Sequence, residues 1–258
     1  MTPSDAPPLL PFLQKLEARS SLGAEERRAI LTLPFTPEHV PANRDFVGLG
    51  ERVDHCSFVL SGVVGAFAQD RDGNRQIQAI FIDGDMADLN TVVLPESLSA
   101  LQALRPTTIL QVPHNALLKA GRSYPSLAEA FWRECAIDAG ILAEWVVNVG
   151  RRDARSRMAH FFCEMACRWE RQAPANGTRL PHALTQQQLS EILSLTPVHV
   201  NRTLQRLRQD RLIDTLERSI MRILDWRKLT AIGDFDSAYL RMDCSAGAND
   251  QPKLAALG

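Results

Sequence analysis

Within LTPVHVNRTLQRLR, residues 195–208, the side chains able to make forked or charged hydrogen bonds are grouped rather than scattered. Val200, Leu204 and Leu207 repeat at spacings of four and three, the inward stripe of a helix. Val198, His199, Asn201, Arg202 and Gln205 then share the opposite side. A guanidinium donates two parallel hydrogen bonds to guanine O6 and N7, an amide pairs with adenine, and a valine methyl packs on thymine. Arg202, Asn201 and Val198 are the candidates for those three roles. Thr185, Gln187, Thr196 and His199 suit phosphate contacts, which fix register rather than sequence. Arg206 and Arg208 add charge that releases counterions. The chemistry this pattern offers is recognition of double-stranded DNA.

Other reactive types are present, in weaker arrangements. His160, Cys163 and Cys167 fall at i, i+3 and i+7 of one helix, so three metal-capable groups could point one way. Their stretch is apolar, where cysteine commonly serves as a small buried residue. His55-Cys56 precedes a strand and could ligate haem or sense oxidation, but adjacent residues in an extended segment point to opposite faces. Asp83, Asp85 and Asp88 surround Gly84 and read as turn residues before they read as acid–base or cation-binding groups. The sequence carries no GxSxG, HExxH or GxxxxGK[ST] pattern. The expectation is therefore a protein that is not an enzyme and holds no metal or other cofactor. Two rival readings remain: a small-ligand-sensing module that signals to a protein partner, and a metal-dependent enzyme.

The elements that must position the DNA-reading side chains follow from caps and spacing. Thr185 can cap a helix whose buried side is Leu189, Ile192 and Leu193. Ser194-Leu195 makes a short turn, with serine where such turns often carry glycine. Thr196 caps the next helix, and Pro197 takes its first position, where a missing N–H is harmless. Two short helices joined by a tight turn form a helix-turn-helix, whose second helix enters the major groove. A hairpin expected over residues 214–224 forms a wing, with Arg218 at its tip placed for a phosphate.

Upstream, residues 12–33 have helical spacing interrupted near Ser20-Ser21. Residues 36–113 alternate short apolar runs (SFVLSG, VVGAFAQ, RQIQAIFI, LSALQAL, TTILQVP) with Gly and Asp turns, predicting six to eight antiparallel strands. After Pro113 the pattern is helical to about Gln172. Phe131, Cys135, Asp138, Leu142, Trp145 and Val149 repeat at 4-3-4-3-4, with Ile137 and Ile141 widening the face, a seam that fits a second copy of the chain. Gly150 to Asp153 reads as a hinge, and Met158, Phe162, Met165 and Trp169 as the buried stripe of a further helix.

Charge divides along the same line. Residues 1–150 carry 12 Lys+Arg against 18 Asp+Glu, whereas residues 151–241 carry 16 against 10. A chain of net charge −1 thus holds a basic half suited to a polyanion. No run of 18 apolar residues suggests a membrane span, and the opening MTPSDAPPLLPFLQKLEARS does not read as a secretion signal. Five scattered cysteines fit a reduced, cytoplasmic interior better than a disulfide framework.

With these residues in hand, the chain resembles the Crp–Fnr transcription regulators, named for the cyclic-AMP receptor protein and the fumarate–nitrate regulator. The resemblance spans roughly residues 35–240 and is strongest over LTQQQLSEILSLTPVHVNRTLQRLRQDRLI. Gly62 in FVLSG, Gly73 in QDRDGNRQ and Gly84 in FIDGDMADL match strand-turning glycines of the family's roll, and FDSAYL is similar to endings in one branch. It implies an α+β fold: N-terminal helices and a cyclic-nucleotide-binding-like antiparallel β-roll over 1–124, and a dimerisation helix over 125–150. A winged helix-turn-helix over 151–241 and a disordered tail over 242–258 complete it. It implies a homodimer on a near-palindromic site, with double-stranded DNA as partner, RNA polymerase as a further one, and an unspecified small-molecule effector. Where cyclic-AMP-binding members hold the phosphate with Arg-Ser, this chain has Leu98-Ser99, and their adenine-contacting Thr-Ser appears as Leu142-Ala143. A phosphate buried there lacks its charge partner. Cysteines near the N-terminus that hold an iron–sulfur cluster in other members are missing, the first being Cys56. Several members place Glu where Val198 stands, which implies a different operator.

Overall fold

The structure is a computed structural model that describes residues 6–170, 174–181, 184–217 and 220–242. The chain divides into two compact units, residues 1–151 with 184–200 and residues 152–183 with 201–258.

The first unit opens with two short helices, α1 (Leu10–Glu17) and α2 (Ala24–Leu31). Seven strands follow: β1 (Thr36–Val40), β2 (Arg44–Val47), β3 (His55–Ser61), β4 (Val63–Gln69), β5 (Arg75–Ile82), β6 (Ala100–Ala103) and β7 (Thr107–Pro113). This is the number and texture that the alternating runs predict. They pair antiparallel in two sheets, ordered β1-β7-β3 and β2-β6-β4-β5. Val40, Val47, Val59, Val64, Phe81, Leu101 and Ile109 fill the space between the sheets. Gly62 shows why the turn between β3 and β4 needs glycine. Its φ is +114°, and a Cβ there would collide with Thr107 on β7.

Two helices close this unit's helical layer, α3 (His114–Ser123) and α4 (Pro125–Arg151). A second core joins α1 to β3, β7 and α4: Phe12 stacks on Phe131 with ring centroids 6.2 Å apart and meets Phe58 edge-on at 6.1 Å. Burial of such rings is the main favourable term here. The expected seam on α4 splits. Phe131 and Trp145 are buried, Cys135, Asp138 and Val149 are half-buried, and Leu142 is exposed. The inward stripe is instead Leu127, Ala130, Phe131, Glu134, Ile137, Ile141, Trp145 and Asn148. Trp132, Leu142, Val146 and Val147 face outward, Trp132 at 69% exposure. One helix thus has two apolar faces, and the heptad count drew one residue or two from each.

The helix α6 (Gln186–Leu193) and the first turn of α7 (Pro197–Gln209) also belong to the first unit. The remainder forms the second unit. It contains α5 (Ala154–Glu170), β8 (Arg179–Pro181), β9 (Ile213–Glu217), β10 (Ile220–Ile223) and α8 (Trp226–Gly233), then a 3-10 turn at Ser237–Leu240. The strands pair in the order β8-β10-β9, so the expected wing hairpin gains a third strand. Asp225 caps α8 by accepting from the Lys228 N–H at 3.0 Å. Gly233 ends α8 against α5, where a Cβ would lie 2.7 Å from the His160 backbone nitrogen.

Candidate nucleic-acid interface

Local sequence sets the two reading helices in place. Thr185 accepts from the Gln188 N–H at 3.1 Å while Gln188 accepts from the Thr185 N–H at 2.9 Å, a reciprocal cap that starts α6. Ser194 ends α6 with φ +51°, the left-handed conformation expected of a glycine-favouring position. Thr196 accepts from the His199 N–H at 3.3 Å, and Pro197 opens α7. These caps are the ones that residue types and spacing predict.

Along α7 the two sides separate as expected. Val200, Thr203, Leu204 and Leu207 are buried, whereas Val198, His199, Asn201, Arg202, Gln205 and Arg206 are exposed. Val198 is 70% exposed. The side chains of Asn201, Arg202, Gln205 and Arg206 take no hydrogen bond or ion pair from the described residues, so their donors are available to an outside partner. Thr185 and Thr196 use their hydroxyl oxygens as acceptors in the caps, which leaves each O–H to donate. Gln187 is less free, since its amide donates to Glu191 at 2.8 Å. Arg208 donates to the Thr215 hydroxyl at 3.1 Å on β9. Arg218 lies outside the described residues, as does the tail expected beyond 242.

The other constellations come apart as sites. His160 uses both ring nitrogens, one 3.1 Å from the Gly233 carbonyl and the other 3.2 Å from the Tyr239 hydroxyl. Cys163 and Cys167 beside it are fully buried. Burial pushes the Cys163 thiol well above the ordinary thiol range. Burial does the same to Cys56, with the Asp88 carboxylate adding to it. Thiolate, the reactive form, is scarce at both. His55 turns toward Asp54 at 3.0 Å. Asp83, Asp85 and Asp88 each serve the fold: Asp83 accepts from the Gly62 N–H at 2.8 Å, Asp85 from Ile82 at 2.9 Å, and Asp88 from Ser57 at 2.6 Å. No group of three or more His, Cys, Asp or Glu able to hold a metal ion occurs among the described residues. Leu98 is 65% exposed. No described helix is long and apolar enough to cross a membrane.

Sequence reasoning missed a polar cluster behind α5. Tyr239 donates to Glu164 at 2.9 Å, and Arg168 donates to the same carboxylate at 3.1 Å. Phe235 closes it, 5.2 Å from the His160 ring. The trailing FDSAYL stood out in the sequence, but nothing in it signalled which residues it would meet.

The cyclic nucleotide-binding domain family matches residues 37–124, and the Crp-like helix-turn-helix domain family matches residues 156–232. The chain belongs to the Crp–Fnr family of transcription regulators. The nitrogen fixation regulation protein FixK of Azorhizobium caulinodans is 27% identical over 169 residues, 66% of this chain and 67% of that one. The transcriptional activator protein Anr of Pseudomonas protegens is 23% identical over 184 residues, 71% of this chain and 74% of that one. Among solved structures, FixK2 from Bradyrhizobium japonicum superposes with a TM-score of 0.70 at 22% identity, over 78% of this chain and 98% of the other. The Crp–Fnr fold, α+β with a roll, a long helix and a helix-turn-helix, is thus shared, and the chain is a DNA-binding transcription regulator.

Proposed function

We propose that this Crp–Fnr regulator acts in the cytoplasm as a homodimer on a near-palindromic duplex, reading it with the outward side of α7. The observation that carries this reading is a row of forked donors on α7. Asn201, Arg202 and Gln205 are exposed and without partners among the described residues, opposite a buried Val200–Leu204–Leu207 stripe. Arg202 is assigned to guanine, Asn201 to adenine and Val198 to a thymine methyl. Thr185, Gln187, Thr196, His199, Arg206 and Arg218 are assigned to phosphates. The outward stripe of α4, with Trp132, Leu142, Val146 and Val147, supports pairing with a second copy, since apolar side chains in a row along a long helix gain most by burial against their like. In that dimer two readers enter successive major grooves roughly 34 Å apart.

The functional division runs as a sensory part over 1–124, a dimerisation helix over 125–150, a reader over 151–241 and a tail over 242–258. Its partners are double-stranded DNA, a second copy and RNA polymerase. The reading assigns no catalytic step to the chain. Selection from a random duplex pool followed by a gel shift tests it: a two-fold-symmetric sequence should be enriched. Enrichment of nothing, or binding as a monomer to a single half-site, counts against it.

A further inference from the structure

Resting on that reading, we propose that Gln76, a residue of the roll, is a positioning residue for DNA recognition. Residues 184–200 belong to the same compact unit as the roll, and two glutamines fasten α6 within it. At its start, Gln188 closes the cap of α6 with one end of its amide. With the other it donates to the Leu104 carbonyl at 2.9 Å, next to β6. At its finish stands Gln76 of β5. Its Nε2 donates to the Ile192 carbonyl at 3.1 Å, and its Oε1 accepts from the Ser194 hydroxyl at 2.6 Å.

Both contacts fall where a helix needs them. Ile192 lies in the last turn of α6, whose carbonyls have no donor inside the helix. Ser194 is the left-handed residue that turns the chain from α6 into α7, two residues before the Thr196 cap. The remaining Nε2 hydrogen of Gln76 is held by the Ile77 carbonyl at 3.0 Å, so the side chain is fixed on its own strand. Gln76 therefore acts as a C-terminal cap for α6 delivered from the roll. It holds the turn that aims α7 while leaving Val198, Asn201 and Arg202 exposed. The clamp orders the reader without covering it. A symmetric site demands two readers at fixed spacing, so a looser turn lowers affinity for the full site through lost preorganisation. One reader on half a site is little affected.

The test uses the full-length chain and a duplex that the wild type enriches from a random pool, together with a duplex carrying half of it. Gln76→Ala should lose about tenfold in affinity for the full duplex. It should stay within about twofold on the half duplex, and hydrogen exchange should quicken over residues 186–196. Ser194→Ala should weaken binding in the same sense. The double variant should lose less than the product of the two single effects, because both remove one contact. An unchanged full-site affinity in Gln76→Ala overturns the proposal, as does an equal loss on both duplexes or a strictly multiplicative double variant. A wild type that enriches no duplex overturns the DNA-reading assignment itself, and this proposal with it.

Discussion

Lys15 of α1 places its ammonium 2.9 Å from Asp85 and 3.1 Å from Glu134. Arg19, just past the end of α1, lies 2.8 Å from the same Glu134, so two cations answer a carboxylate of α4 and one of the turn after β5. Burial pulls the Lys15 ammonium toward neutrality, but Asp85, Glu134 and Asp138 outweigh that against Arg19, and it is held more firmly charged than in water. Removing one member of such a group strands its partners. Lys15→Met should destabilise the first unit by roughly 2–4 kcal/mol, the partial exposure of Lys15 moderating the loss. Urea unfolding measures it, and a loss below about 1 kcal/mol would show the quartet to be solvated.

Arg202→Ala should weaken binding to the selected duplex by about 1–3 kcal/mol and relax one base position in a repeat selection. Unchanged affinity and unchanged sequence preference would remove Arg202 from the base-reading set.

Arg206→Ala should lower affinity for all duplexes alike and reduce the salt slope by about one unit. A slope equal to that of the wild type would mean that Arg206 points to solvent in the complex.

Asp88 sits fully inside the roll, where burial raises its carboxyl to about 6 against the opposing hydrogen bonds from Ser57. A carboxyl raised above its unfolded value holds its proton longer in the folded chain. Stability should therefore fall as pH climbs from about 4 to 6, by on the order of 2–3 kcal/mol. Asp88→Asn keeps an acceptor for the Ser57 N–H and carries no charge. It should match the wild type near the low end of that window and exceed it at neutral pH and above. Thermal unfolding across pH decides this, and equal pH profiles for the two proteins would rule the mechanism out.

Tyr239→Phe removes the hydrogen bond to Glu164 and the hydroxyl 3.2 Å from the His160 ring, inside the second unit. A loss of about 1–3 kcal/mol is expected. Gly233→Ala should be at least as damaging, because the new methyl meets the α5 backbone. If both variants unfold like the wild type, the cluster behind α5 contributes nothing to stability.

The reader was the most legible part of the sequence, because caps, proline and a 4-3 repeat are local signals that agree over about twenty residues. The roll's strands were legible for a similar reason: alternation and turn glycines such as Gly62 speak for themselves. Pairings across long separations were not. Lys15, Asp85 and Glu134 are spread over three elements, and no spacing rule joins them. The α4 seam misled because apolar residues cover two faces, and periodicity cannot say which one the roll takes. His160, Cys163 and Cys167 do share one helix, but that helix is buried, and burial rather than spacing decides what such side chains do. The short elements β8 and α8 left no periodic trace.

The amide of Gln188 bears on modularity. It completes the fold of its own helix and spends its second hydrogen-bonding end on the Leu104 backbone, a partner 84 positions away. A chimera that joined this helix-turn-helix to a relative's sensor would keep that bond wherever the new backbone follows the same path, since every residue carries a carbonyl. The Gln76 side chain has no such substitute, so in a swap of halves between such regulators residue 76 has to travel with the reader.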